Sequence, residues 1–186
     1  TIEQEIADLP TTSPVWRNRS GIMSQQLLDT QVIADVNAAL AYLQSLPQVQ
    51  ADRIGITGFC IGGRIAYLMA SVNPAFKAAV PCYPSGTMRA WGNGPTPFDQ
   101  LANIKCPVLG LFGAEDTSPS PEEVKKIEDE LTRHGVTHQS HSFPDAPHAF
   151  MDYTSPHRYQ DEAAREAWSL AVSFFQEHLS GVPAAR

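Results

Sequence analysis

The sequence has 186 residues, enough for one domain with a sizeable core. Its 42% hydrophobic and 18% charged residues exclude a disordered chain, and its net charge of −7 argues against nucleic acid or an anionic membrane as the main partner. No apolar run approaches the roughly 18–20 residues of a membrane span.

Residues 1–19, with Pro10 and Pro14, read as an irregular lead-in. Leu28, Val32, Val36, Leu40 and Leu43 recur at spacings of four and three, which predicts a helix from Ser24 to Leu46 ended by Pro47. The apolar run Arg53 to Phe59 reads as a buried strand, Gly62 to Val72 as a helix, and Ala75 to Tyr83 as a second strand ended by Pro84. Residues 84–100 carry Gly86, Gly92, Gly94, Pro95 and Pro97 and read as a loop, and Pro107 to Phe112 as a third strand. Ser120, Pro121 and Glu123 form a capping box ahead of the stripe Val124, Ile127 and Leu131, with Gly135 as C-cap. A weaker strand, Thr137 to Phe143, leads into a final helix from Arg158 to Leu179, whose expected buried face is Trp168, Ala171, Val172, Phe175 and Leu179. Gly181 and Pro183 close it. Strands alternating with helices predict a single α/β domain over residues 1–186, a mainly parallel sheet flanked by helices.

In such sheets the chemistry lies beyond the C-terminal ends of the strands. The first strand is followed by Gly58-Phe59-Cys60-Ile61-Gly62-Gly63, a glycine-x-nucleophile-x-glycine turn with Cys as the nucleophile. Side chains at the glycine positions are expected to clash in so tight a turn. The turn aims the sulfur at the N-terminus of the next helix, whose positive end favours a thiolate, and the Ile61 backbone N–H is a candidate oxyanion donor. The third strand leads to Gly113-Ala114-Glu115-Asp116, and the fourth to Asp145-Ala146-Pro147-His148-Ala149-Phe150. The order nucleophile, acid, histidine predicts that His148 takes the Cys60 proton and that Asp116 orients the imidazole. Glu115 is the competing acid, and Asp145 reads as a turn residue.

Tyr83, Arg89, Trp91, Phe98 and Phe150 are candidates to line the substrate pocket, against the plainer reading of loop packing. Cys82 and Cys106 read as small buried hydrophobes. His134, His138, His141, His157 and His178 show no metal-ligand spacing, so neither a metal nor a cofactor is expected. Scattered cysteines and the lack of a signal sequence suggest a cytoplasmic protein.

Gly-Phe-Cys-Ile-Gly-Gly-Arg at 58–64, Gly-Ala-Glu-Asp at 113–116 and His-Ala-Phe at 148–150 together resemble the three motifs of the dienelactone hydrolase family, the carboxymethylenebutenolidases. The resemblance runs from the first long helix to the last. It implies an α/β-hydrolase fold, a Cys60, Asp116 and His148 triad, and metal-free hydrolysis of a small-molecule ester or enol-lactone through a thioester. Some family members hold a substrate carboxylate with arginines, one of them four residues past the catalytic histidine. Here that position is Asp152, so the substrate is expected to differ, or Arg89 or Arg158 to substitute.

The fold also takes a second oxyanion N–H from a strand ahead of the elbow strand, and none is legible upstream. With Thr1 in place of an initiating Met, the sequence is expected to be a C-terminal portion that lacks the N-terminal strands. A monomer is expected, or a dimer if another chain covers the open sheet edge. Two rivals are a non-catalytic binding module of this fold and a dinucleotide-binding reductase. The reductase lacks a Tyr-x-x-x-Lys pair and leaves the Asp116 and His148 loops unexplained.

Overall fold

A computed structural model describes residue 13 and residues 26–180. The rest of the irregular lead-in, the Ser24 start of the first helix, and Gly181 and Pro183 lie outside the described residues. The chain runs α1 (Asp29–Ser45), β1 (Ile54–Phe59), α2 (Ile61–Val72), β2 (Phe76–Cys82), a 3-10 helix (Phe98–Asn103), β3 (Val108–Gly113), α3 (Pro121–Arg133), β4 (His138–Phe143) and α4 (Asp161–Leu179). The four strands form one parallel sheet in the order β1-β2-β3-β4.

Both faces of the two middle strands are covered. Ala78, Val80, Cys82, Leu109 and Leu111 point to the α4 side, where Ala164, Ala167, Ala171 and Phe174 meet them. The alternate residues Ala79 and Val108 face α2, α3 and the 3-10 helix through Tyr67, Ala70, Leu101, Ile127 and Leu131. This period of two places consecutive strand residues in different cores, which is why the middle strands read as unbroken apolar runs. A third cluster joins α1 to α2 and the start of the sheet through Leu40, Met69 and Phe76.

Four expectations need correction. The first strand is only half-buried, with Thr57 and Phe59 exposed, because β1 is an outer strand: among the described residues it pairs with β2 alone. The buried stripe of α4 is Ala164, Ala167, Ala171 and Phe174, while Trp168 and Val172 are each 49% exposed. Small alanines let this helix approach the sheet, and the larger Trp168 turns aside to meet the Phe59 ring at 5.7 Å between centroids. On α1, Val32 and Leu40 are buried but Leu28 and Leu43 are 41% exposed, so the inward stripe is narrower than its spacing predicts. The expected loop 84–100 ends inside a 3-10 helix whose Leu101 is fully buried. The capping box at Ser120 forms as read: Ser120 Oγ accepts from the Glu123 N–H, and the Glu123 carboxylate from the Ser120 N–H.

Candidate active site

Sheet register assembles the site. Phe59 is level with Cys82, Cys82 with Leu111, and Gly113 with Phe143, so the residues that follow each strand gather at one end of the sheet. Four non-glycine residues among those described have positive φ, and all lie in the turns after β1, β2 and β4: Cys60 (55°), Tyr83 (35°), Asp145 (55°) and Ala149 (61°). Such backbone costs on the order of 1–3 kcal/mol per residue and gathers where side chains must be aimed.

Cys60 is the N-cap of α2, with φ 55° and ψ −119°. The turn is closed by close backbone approach at two glycines: a Cβ on Gly58 would clash with the Gly62 carbonyl oxygen, and one on Gly63 would lie 2.7 Å from that of Cys82. A Cβ on Gly62 would meet nothing within 4 Å. The sequence reading expects crowding at every glycine, but only Gly58 and Gly63 are crowded. The Cys60 carbonyl accepts from the Gly63, Arg64 and Ser85 N–H groups, which pins the strained residue on three sides.

The Cys60 thiol is electrostatically coupled to His148 and to the Ile61 backbone N–H. Burial works to raise its pKa, but His148 and the Ile61 amide outweigh burial, and the thiol lies below its ordinary value of 9.0. Burial likewise opposes the His148 cation, yet the hydrogen bond to Asp116 and the coupling to Cys60 lift this pKa to about 9. Both directions favour a thiolate beside an imidazolium, and the two groups titrate as a coupled pair.

His148 Nδ1 lies 2.8 Å from Asp116 Oδ2, and the other carboxylate oxygen accepts from the Ser118 N–H at 2.8 Å. Glu115, the competing acid, is exposed, and its N–H donates to the Ala146 carbonyl across the two loops. Asp145 is exposed and uses its carbonyl to accept from Gln160, as a turn residue does. The Tyr83 ring meets His148 edge-on at 5.3 Å and Phe150 at 5.5 Å. Burial and the neighbouring anionic groups keep its phenol protonated.

The five pocket candidates are placed differently. Tyr83 borders a cavity of about 340 Å³ together with Phe59, Met151, Asp152, Tyr153 and Trp168. Phe150 is fully buried behind Tyr83, so its ring supports the site without facing a substrate. Trp91 is buried beneath the Arg64 guanidinium, 3.8 Å from the ring centroid. Phe98 packs on the α2 and α3 core, and Arg89 is exposed, with its carbonyl accepting from Arg64. For Trp91 and Phe98 the plainer reading of loop packing describes the structure.

One constellation was not expected. Arg64 is fully buried on α2 and pairs with Asp29 at the start of α1, through Nη1 at 2.6 Å and Nη2 at 2.9 Å. Its Nε and Nη2 also donate to the Gly86 and Arg89 carbonyls, while Asp29 accepts from the Trp91 N–H. This ion pair thus fastens α1 and the 86–91 loop to the nucleophile helix. The available signal was an arginine in an otherwise apolar helix segment, Gly63 to Ala70. No group of three or more His, Cys, Asp or Glu that could hold a metal ion occurs among the described residues, nor is any described helix long and apolar enough to cross a membrane.

The model of one family, described as the dienelactone hydrolase family, matches residues 14–179. A protein of Synechocystis sp. named by inference as a carboxymethylenebutenolidase is 35% identical over 159 residues, covering 84% of this chain and 63% of its own. An Escherichia coli K12 protein of the same inferred name is 33% identical over 176 residues, 94% of this chain and 61% of its own. Among solved structures, one assigned by inference as a dienelactone hydrolase of Klebsiella pneumoniae superposes with a TM-score of 0.76 at 33% identity, covering 82% of this chain and 63% of that one. A puromycin-hydrolysing peptidase of Mycobacterium tuberculosis shares the fold alone, at TM-score 0.71 and 18% identity over 87% of this chain and 27% of that one. The chain therefore spans less than two thirds of the length of these family relatives. With the family model matched over 14–179 and a relative at 35% identity, the chain belongs to the dienelactone hydrolase family, within the α/β-hydrolase superfamily.

Proposed function

We propose that this chain carries the nucleophile, acid and base of a cysteine hydrolase that cleaves an ester or lactone. The observation that carries the reading is the Asp116–His148 hydrogen bond beside the Cys60 thiol at the N-terminus of α2, whose pKa His148 lowers. The Cys60 thiolate attacks the acyl carbon, and the carbonyl π pair moves onto oxygen. The oxyanion is met by the Ile61 N–H and the positive end of α2. As the carbon–oxygen bond breaks, the His148 imidazolium protonates the leaving alkoxide, and a thioester remains on Cys60. His148, now neutral, removes a proton from water; hydroxide adds to the thioester, and the acid departs as the thiolate is restored. Asp116 holds the Nδ1–H tautomer throughout.

The substrate is a small ester or lactone without a carboxylate near the reacting centre. Asp152 supports this: it borders the cavity beside Tyr83, and hydrogen bonds from Thr154 and Ser155 hold its carboxyl below the ordinary carboxylate range, so it is ionised at neutral pH. An anionic substrate would be repelled there. Incubation with an aryl ester and mass analysis tests the mechanism. One acyl group should appear on Cys60, and none in Cys60→Ala. A chain that acylates elsewhere, or not at all, is the binding module instead.

A further inference from the structure

We propose that Ser85 is a positioning residue, a bridge that sets the Asp116 carboxylate against His148 by tying the nucleophile turn to the acid loop. The inference rests on the triad reading above.

The observation is a continuous chain of hydrogen bonds. The Ser85 N–H donates to the Cys60 carbonyl at 3.1 Å. The Ser85 hydroxyl is 3.1 Å from the Ser118 carbonyl oxygen and 2.9 Å from Ser118 Oγ. A hydroxyl has one hydrogen to give, so Ser85 donates to the carbonyl and accepts from the Ser118 hydroxyl; both contacts are then satisfied. The Ser118 N–H donates to Asp116 Oδ1, Asp116 Oδ2 meets His148 Nδ1, and His148 is coupled to the Cys60 thiol. Five residues from the turns after all four strands are thus linked in one network.

The network solves a mechanical problem. β1 and β3 are not neighbours in the sheet, since β2 lies between them, so no strand ladder joins the turn of Cys60 to the loop of Asp116. Ser85, in the turn after β2, spans the gap: its backbone holds one side and its hydroxyl the other. Both serines are partly shielded from water, where a hydrogen bond is less readily exchanged for solvent. The groups set around His148 are Asp116, Cys60 and the Tyr83 ring, and only Asp116 is oriented through Ser118.

The test reads the ring of His148 directly. Its Cε1–H resonance is followed by NMR across pH, assigned by its loss in His148→Gln. Asp116→Asn should lower the His148 pKa, because the Asp116 hydrogen bond raises it. Ser85→Ala should lower it in the same direction by about 0.5–1, the size of one weakened hydrogen bond. Ser85→Thr should restore it, and Ser85→Ala should add nothing in the Asp116→Asn background. On an aryl ester, kcat should fall about fivefold to tenfold with KM nearly unchanged. Should Ser85→Ala not fold, Ser118→Ala removes the hydroxyl half of the bridge and should move the pKa the same way by less. If Asp116→Asn lowers the pKa and neither serine variant does, the bridge is refuted and the triad stands. If Asp116→Asn leaves His148 unmoved, the triad reading falls and this inference falls with it.

Discussion

Asp116 and His148 are joined at 2.8 Å, yet their side chains differ in exposure, 1% against 23%. The acid is sealed behind the base. A carboxylate held in place by the Ser118 amide can orient the imidazole without meeting solvent, while the outer side of the imidazole stays open to Cys60 and to an incoming molecule.

That asymmetry separates the members by function. Cys60→Ala and His148→Ala should each remove ester hydrolysis by several orders of magnitude, whereas Asp116→Asn should cost less than either, on the order of 10⁴. Steady-state kinetics on an aryl ester checks the ranking, with circular dichroism confirming that each variant folds. A fully active Cys60→Ala would end the proposed mechanism. Cys60→Ser should keep weak activity.

The pH dependence has a definite sign. Cys60 is an acid whose pKa is lowered through His148, so its thiolate persists below the ordinary value of 9.0. Removing His148 leaves burial as the largest influence, and burial raises the pKa. The rate of alkylation by iodoacetamide should therefore stay high in the parent well below pH 9.0, and in His148→Ala should rise only above it. Coincident profiles would mean that His148 does not govern the thiol.

The Arg64–Asp29 pair should matter for folding more than any surface pair. Arg64 has no exposed side-chain surface and Asp29 has 10%. Asp29→Ala strands a buried guanidinium and should lower stability by about 3–5 kcal/mol. Ser120→Ala, which removes only a helix cap, should cost about 1 kcal/mol. Urea unfolding midpoints of the two variants make the comparison; equal losses would show that the pair is not what secures α1 and the 86–91 loop.

Charge at the cavity should set substrate preference. Two esters sharing one leaving group, with a neutral and an anionic acyl chain, separate the effect from chemistry. Asp152→Arg should raise kcat/KM for the anionic ester about tenfold relative to the neutral one, the scale of reversing a charge across a solvated cavity. An unchanged ratio would remove Asp152 from the determinants of specificity.

Much of the fold was legible because its rules are local. Alternation marks a strand, a stripe marks a helix, and Ser120-Pro121 with Glu123 marks a helix start, all within a few residues of chain. The three turns that bear Cys60, Asp116 and His148 were legible for the same reason, since each follows its own strand. The burial of β1 and α4 was not. Whether Phe59 or Trp168 is covered depends on what lies beside an outer strand, and periodicity holds no information about neighbours.

The sequence by itself determined the order of elements and the turns in which chemistry could lie, because backbone sterics and apolar spacing act between residues close in the chain. Only the tertiary structure decided the partners. It set Asp116, the acid the sequence already favoured over Glu115, 2.8 Å from His148, placed Trp91 under Arg64, and joined Ser85 to Ser118 across 33 positions. The reason is that a pairing between distant side chains depends on strand register and helix packing, and these exist only once the sheet has formed.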